Sequence, residues 1–375
     1  MSKLDYITVR GFRSIARIDK LAIGPLTVLI GSNGSGKSNL LGVFSFLNSI
    51  RQGRLREYVA RAGGADRVLH FGSRVTEALH LQVGFRNEAP NQHLKNDYEI
   101  TLQPSAADRL APVSEFVRFW DQSGHSQPAE IEIHATSMWE AGISMPELRE
   151  TAPRIQQRLA SWRLYHFHDT SDGSPLKKTA HVNDNRHLRH DGSNLAAFLN
   201  LLREKHENCY RAIVGTVRQV APFFRDFALE PELERPDTIL VRWEHKGTDD
   251  YFDASSLSDG TLRFVALATL FLQPKEYRPS VMVLDEPELG LHPYAITLLA
   301  SLMKKASTDA QVIVATQSSL LLDHLEPEDV LVADRVNGAS RFTRLDSSRL
   351  KSWLEDYSLG QLWEKNELGG RPAPE

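Results

Sequence analysis

Cys209 is the only cysteine in the 375-residue chain, which excludes an intrachain disulfide and any cysteine-rich zinc site. Its expected role is that of a small buried hydrophobe in a helix. No stretch approaches the ~18 uninterrupted apolar residues of a membrane span, so no spanning helix is expected. Nothing repeats at a fixed period, which sets aside solenoids and propellers. Charge of one sign is missing too: 44 Lys and Arg against 48 Asp and Glu leave a net charge of -4 and no global footprint for nucleic acid. The opening Met1-Ser-Lys-Leu-Asp-Tyr-Ile7 has no apolar h-region, so a secretory leader is not expected and the cytoplasm is the expected location.

What remains is the composition of a soluble globular chain, 41% hydrophobic and 25% charged, long enough for two or three domains or one enlarged α/β unit with an insertion. Locally the N-terminal part is basic, with Arg10, Arg13, Arg17, Lys20, Arg51, Arg54, Arg56, Arg61 and Arg67 facing few acids. That asymmetry permits a DNA-facing patch, though a solvated basic face explains it as well or better.

Gly31-Ser-Asn33-Gly34-Ser35-Gly36-Lys37-Ser38 follows the apolar run Leu26-Thr-Val-Leu-Ile30 and opens into the amphipathic stretch from Asn39 to Leu47. Strand, glycine loop and helix in that order make a phosphate-binding loop, because glycines let backbone N–H groups turn toward phosphate oxygens at the positive end of a helix. Lys37 would meet the β- and γ-phosphates of ATP, and the Ser38 hydroxyl would ligate Mg²⁺. An ordinary glycine-rich turn is the competing reading.

The second constellation is Val281-Met-Val-Leu-Asp285-Glu286-Pro-Glu288, an apolar strand that ends in adjacent acids. Asp285 would hold Mg²⁺ chiefly through water. Glu286 would polarise the attacking water. The alternative, two acids entering a helix before Pro287, loses force once the phosphate loop is taken into account.

Alternation predicts strands at residues 4–10, 26–30, 78–85 and 98–102, the makings of an antiparallel β lobe, with a basic helix near residues 49–61. Regularity fades over residues 104–153. Beyond it come a strand at 162–167, a polar loop, a long helix with apolar positions from Leu195 to Val217 capped by Asp191 or Ser193, and a strand at 239–243. Helices at 261–272 and 294–305 then alternate with strands at 281–284 and 311–316, as in a parallel sheet. The expected domains are an N-terminal ATPase lobe with the phosphate loop (1–103), an irregular insertion (104–160), a C-terminal ATPase lobe (161–345) and a tail (346–375).

Leu257-Ser258-Asp259-Gly260-Thr261-Leu262-Arg263 resembles the ABC signature, and Glu288-Leu-Gly-Leu-His-Pro293 resembles the D-loop. The order of motifs matches ABC-type ATPase heads. Ile7-Thr-Val-Arg-Gly-Phe-Arg13-Ser14, together with residues 31–39, is similar to the RecF, SMC and OLD branch. Tyr165-His-Phe-His-Asp-Thr170, Asp191-Gly-Ser-Asn-Leu195, and Tyr357-Ser-Leu-Gly-Gln-Leu-Trp363 with Gly369-Gly-Arg-Pro372 resemble the bacterial RecF-like predicted ATPases, a group of the AAA family.

The resemblance implies an α/β P-loop NTPase of the ABC-head type, with a central parallel sheet, an antiparallel β lobe, an inserted helical or irregular subdomain, and no long coiled coil, since no heptad run of three repeats separates the phosphate loop from the signature. It also implies a head-to-tail homodimer with ATP between one subunit's residues 33–39 and Ser258 and Gly260 of the other. A capped helix start explains Ser258 equally simply. Gln317 stands where many ABC ATPases carry a switch histidine; an amide cannot become cationic, so slow hydrolysis is expected. The loop after residue 167, with His166, His168 or Asp169, is the candidate Q-loop region. His166, His168, His181, His187 and His190 lack metal-site spacing and are read as ordinary histidines.

Two functions are compatible with these features. One is an ATPase of DNA repair or antiphage defence, with double-stranded DNA or a separately encoded nuclease or effector protein as candidate partners. The other is a nucleotide switch controlling a protein effector without touching nucleic acid. Membrane transport fits poorly, because it would require a separate membrane subunit.

Overall fold

A computed structural model describes residues 2–87, 94–121, 129–134, 138–145 and 153–370. It divides into two compact units: Met1–Arg163 with Glu326–Ser352 and Lys365–Glu375, and Leu164–Leu325 with Trp353–Glu364.

The first unit contains a six-stranded antiparallel sheet. Its first hairpin joins Ser2–Phe12 to Ile15–Ala22 through the two residues Arg13 and Ser14, and Arg13 takes the left-handed backbone (φ +49°) that so tight a turn favours. Leu79–Asn87 and Leu94–Pro104 follow, so the antiparallel lobe that alternation predicts is present, but without residues 26–30, which pair in parallel in another sheet. Where regularity fades in the sequence, the chain continues the sheet with Leu110–Asp121 and Ala129–Glu132. Pro112 and a shift in register at residues 101–102 break the strict alternation that would have revealed the longer strand. Buried Glu115 accepts hydrogen bonds from Tyr98 Oη (2.8 Å), Gly142 N (2.7 Å) and Ile143 N (2.9 Å), tying the following turn to the sheet.

Leu26–Ile30 is buried at every position, as a strand covered on both faces must be. It lies parallel to Val330–Val336, which pairs with Ala339–Arg344 in a hairpin. The helix Lys37–Arg51 follows the glycine loop, and a separate helix occupies Leu55–Ala62. The single basic helix expected near residues 49–61 is therefore broken, by Gly53 at φ +68°. The second helix is capped from a distance: the Glu140 carboxylate accepts from Leu55 N (2.8 Å) and Arg56 N (3.2 Å).

In the second unit, Val281–Asp285 and Gln311–Ala315 are parallel neighbours connected through the helix Pro293–Ser307. Against that helix packs Asp259–Leu272, an almost wholly buried helix that also meets Glu207–Val220. The long helix expected from Leu195 to Val217 is two helices, Leu195–Lys205 and Glu207–Val220, broken at His206. Asn194, rather than Asp191 or Ser193, occupies the first cap position, and its side chain braces the preceding loop through Arg189 N, Asp184 O and His187 O. The run 239–243 is likewise split, between Thr238–Ile239 and Arg242–His245 in different sheets. Cys209 is half-buried in its helix.

Parallel strands with covering helices in both units are the α/β class expected from the sequence. Among the described residues the longest helices have 15 residues, so no long coiled coil is present, and no helix is long and apolar enough to cross a membrane.

Candidate nucleotide-binding site

The glycine loop is shaped by close approaches that only glycine permits. Gly36, the residue before the helix, has φ +106°, and a Cβ there would lie 1.9 Å from Ser340 Oγ and 2.8 Å from Ser14 Oγ. Those two hydroxyls are 2.7 Å apart, and Asn39 Nδ2 donates to Ser14 Oγ at 2.7 Å. The first hairpin turn and the hairpin at residue 340 thus form the floor beneath the loop. Gly34 (φ +82°) has open space around it, so there the requirement is conformational alone.

Lys37 is 6% exposed, and its Nζ donates to the carbonyls of Gly31 (2.6 Å) and Ser32 (3.0 Å), so the ammonium curls over the loop. Asn33, Gly34 and Ser38 are exposed at the loop's outer side. Ser35 is buried, and its hydroxyl has no hydrogen-bond partner. An orphaned hydroxyl inside a loop of this form is a polar group left for a ligand.

The remaining candidates belong to the second unit. At the end of Val281–Asp285 the backbone turns sharply: Glu286 has φ +39°, a conformation costing about 1–3 kcal/mol in a residue with a side chain. Its N–H donates to Ala315 O (2.8 Å), and its carboxylate accepts from the Gln317 amide. The structure therefore joins Glu286 to Gln317, two residues that separate motifs supply. Beside them, Thr316 Oγ1 donates to Glu288 Oε1 at 2.5 Å and accepts from Ser318 N at 3.0 Å. Glu288 is 8% exposed, and burial, only partly opposed by the Thr316 hydrogen bond, pushes its carboxyl up from the usual range.

Asp285 lines a cavity of about 10 Å³ with Tyr165, Phe167, His168 and Arg263, room for one water. His168 Nδ1 is buried beside it without a partner. His166 is exposed, and partial desolvation of its imidazole first, with the neighbouring His168 second, lowers it below its usual value against the pull of Asp285. Arg263, buried in the helix Asp259–Leu272, fixes this segment by donating to Phe167 O (3.0 Å) and His168 O (2.9 Å). Sequence patterning gave Arg263 no role; its only signal was a charge inside an otherwise apolar helix.

Ser258 caps that helix, its Oγ accepting from Thr261 N at 3.2 Å. The capped helix start, one of the two readings of this residue, is what the structure shows, and the residue is exposed. Gly260 closely approaches the segment after the acidic strand: a Cβ on it would sit 2.3 Å from Gly290 O. Among the described residues no three His, Cys, Asp or Glu side chains gather as a metal site.

Residues 26–323 match a family model described as AAA domain, putative AbiEii toxin, Type IV TA system. The chain belongs to this AAA-domain family. Its members are ATPases, and the match runs from the strand before the phosphate loop to just beyond Gln317. Solved structures extend the likeness to the whole fold. The SMC head bound to the C-winged helix domain of ScpA superposes with a TM-score of 0.60 at 17% identity, covering 93% of this chain and 99% of that one. The Pyrococcus furiosus SMC head with an extended coiled coil, bound to the C-terminal domain of ScpA, gives 0.58 at 15% identity over 95% and 99%. A Pyrococcus yayanosii SMC head with a coiled coil and joint gives 0.53 at 12% over 95% and 99%. No curated protein matches the sequence of the chain. The AAA-family chain thus has the fold of SMC heads, as the resemblance of its motifs implied.

Proposed function

We propose that the chain is a slow, Mg²⁺-dependent ATPase that closes as a head-to-tail homodimer, with ATP held between one subunit's residues 33–39 and the partner's Ser258 and Gly260. The observation that carries this reading is the strained backbone of Glu286, which turns its carboxylate away from the strand line and onto the Gln317 amide. Strain of this kind persists where the surroundings over-determine it, and reacting groups are where it collects.

Within this reading, Asn33, Gly34, Ser35 and Gly36 offer backbone N–H groups to the phosphates, and the unpartnered Ser35 hydroxyl supports it. Lys37 swings its ammonium from the two carbonyls to the phosphates. Asn39 braces the loop through Ser14. Ser38 and Asp285 would each offer an oxygen to a magnesium ion, which keeps most of its own waters. When bound, that ion neutralises phosphate charge. Glu286 accepts a proton from the attacking water, and Gln317 orients it. His168, whose bare Nδ1 shares a cavity with Asp285, is the Q-loop counterpart.

Biologically the reading is DNA metabolism or antiphage defence in the cytoplasm, and the family description, with its toxin–antitoxin term, supports the second. A switch acting on a separate effector is the alternative, favoured by the ScpA domains bound to the solved SMC heads. Size-exclusion chromatography of Glu286→Gln with and without ATP and duplex DNA tests the proposal. An ATP-dependent dimer supports it, and a monomer under all conditions contradicts the sandwich. DNA-stimulated turnover that falls steeply with salt supports the first role; its absence supports the switch.

A further inference from the structure

Gly369-Gly370 lies far along the chain from the phosphate loop, and neither the loop nor the acidic strand accounts for this glycine pair. Both residues are left-handed, φ +79° and +83°, a conformation that strains any residue with a side chain. Gly370 is buried, and both of its backbone groups are engaged: its N–H donates to Asp334 Oδ1 at 2.5 Å, and its carbonyl accepts from Ser32 N–H at 2.6 Å.

Asp334 is well placed for this. Val332 pairs with Ile30 in the parallel strands, so Ala333 and Asp334 run alongside the start of the loop. There the backbones nearly touch, since a Cβ on Gly31 would lie 2.3 Å from Ala333 O. Ser32 is consequently fixed from two sides, its N–H by Gly370 and its carbonyl by Lys37 Nζ.

We propose that the Gly369-Gly370 turn, clasped by Asp334, is a positioning element of the nucleotide site that holds residues 31 and 32 in the phosphate-accepting form of the loop. The proposal rests on the reading of residues 31–39 as nucleotide-binding. Its physical basis is population: releasing Ser32 lets the loop sample other forms, and apparent affinity falls with the fraction that remains competent. The opposite arrangement, in which the turn blocks the loop by taking an N–H from the phosphates, makes the opposite prediction.

The test compares full-length wild type with Asp334→Ala, Asp334→Asn and Gly370→Ala. Hydrogen exchange of the nucleotide-free protein reads the loop, and titration with a fluorescent ATP analogue reads affinity. Asp334→Ala should speed exchange across residues 31–39 and weaken ATP binding about tenfold. Asp334→Asn, whose amide oxygen still accepts from Gly370, should stay within about twofold of wild type. Gly370→Ala should repeat the loss through backbone strain and carries the test if Asp334→Ala does not fold. Unchanged exchange and affinity in Asp334→Ala overturn the proposal, and tighter ATP binding overturns it in favour of a block. A wild type that binds no ATP overturns the nucleotide reading, while the exchange comparison still decides whether the clasp orders the loop.

Discussion

The side-chain amide of Gln317 donates to the carboxylate of Glu286, linking the ends of two parallel strands that meet at Asp285 and Ala315. An amide in that position can orient a carboxylate but cannot acquire a positive charge. Gln317→His should therefore raise the ATP turnover rate, because an imidazole can become cationic beside the phosphates. Steady-state phosphate release checks this, and an unchanged rate contradicts the explanation offered for slow hydrolysis.

Glu286→Gln keeps an oxygen that can accept from Gln317 but loses the base. Turnover should fall by about 10²-fold or more while ATP affinity stays close to that of wild type. Single-turnover measurement separates the two quantities. A parallel loss of affinity would mean that Glu286 shapes the site rather than acting on the water.

Glu288 gives a pH prediction whose sign follows from burial. Its folded carboxyl is raised above the ordinary value of 4.5, so its contribution to stability is full below that value and is lost as pH rises through the folded value. Glu288→Gln, neutral at every pH and still able to accept from Thr316, should raise Tm at about pH 8 and leave it unchanged near pH 4. Thermal melts at the two pH values decide, and an equal shift at both would remove ionisation as the cause.

Gly36→Ala would force a side chain into a left-handed residue already crowded by Ser340 and Ser14. A loss of about 2 kcal/mol or more in urea unfolding, with weakened ATP binding, is expected. Wild-type stability and affinity would show that the loop does not depend on those contacts.

The strand, glycine loop and helix around residues 26–51, and the acid-ended strand Val281–Asp285, were legible as elements because each is a local pattern of apolar run and turn. The fold class followed from the same source, an apolar run such as residues 26–30 giving a strand buried on both faces. Helix breaks at His206 and Gly53 were less legible, since apolar periodicity runs through both. Least visible were the partners that arrive from far along the chain. Ser340 under Gly36, Asp334 and Gly370 beside Ser32, and Arg263 on the carbonyls of Phe167 and His168 are tertiary contacts without a local period. The traces they left were slight: Arg263 as a charge inside an apolar helix, and Gly369-Gly370 as part of a resemblance rather than as a contact.

Lys37, curled onto the carbonyls of Gly31 and Ser32, is proposed as the lysine that binds the phosphates of ATP. Calorimetric titration of wild type and Lys37→Ala with ATP and magnesium tests it most directly, with melting curves confirming that both are folded. Wild type should bind saturably and Lys37→Ala not at all; equal affinity in the two proteins would mean that Lys37 does not hold the phosphates.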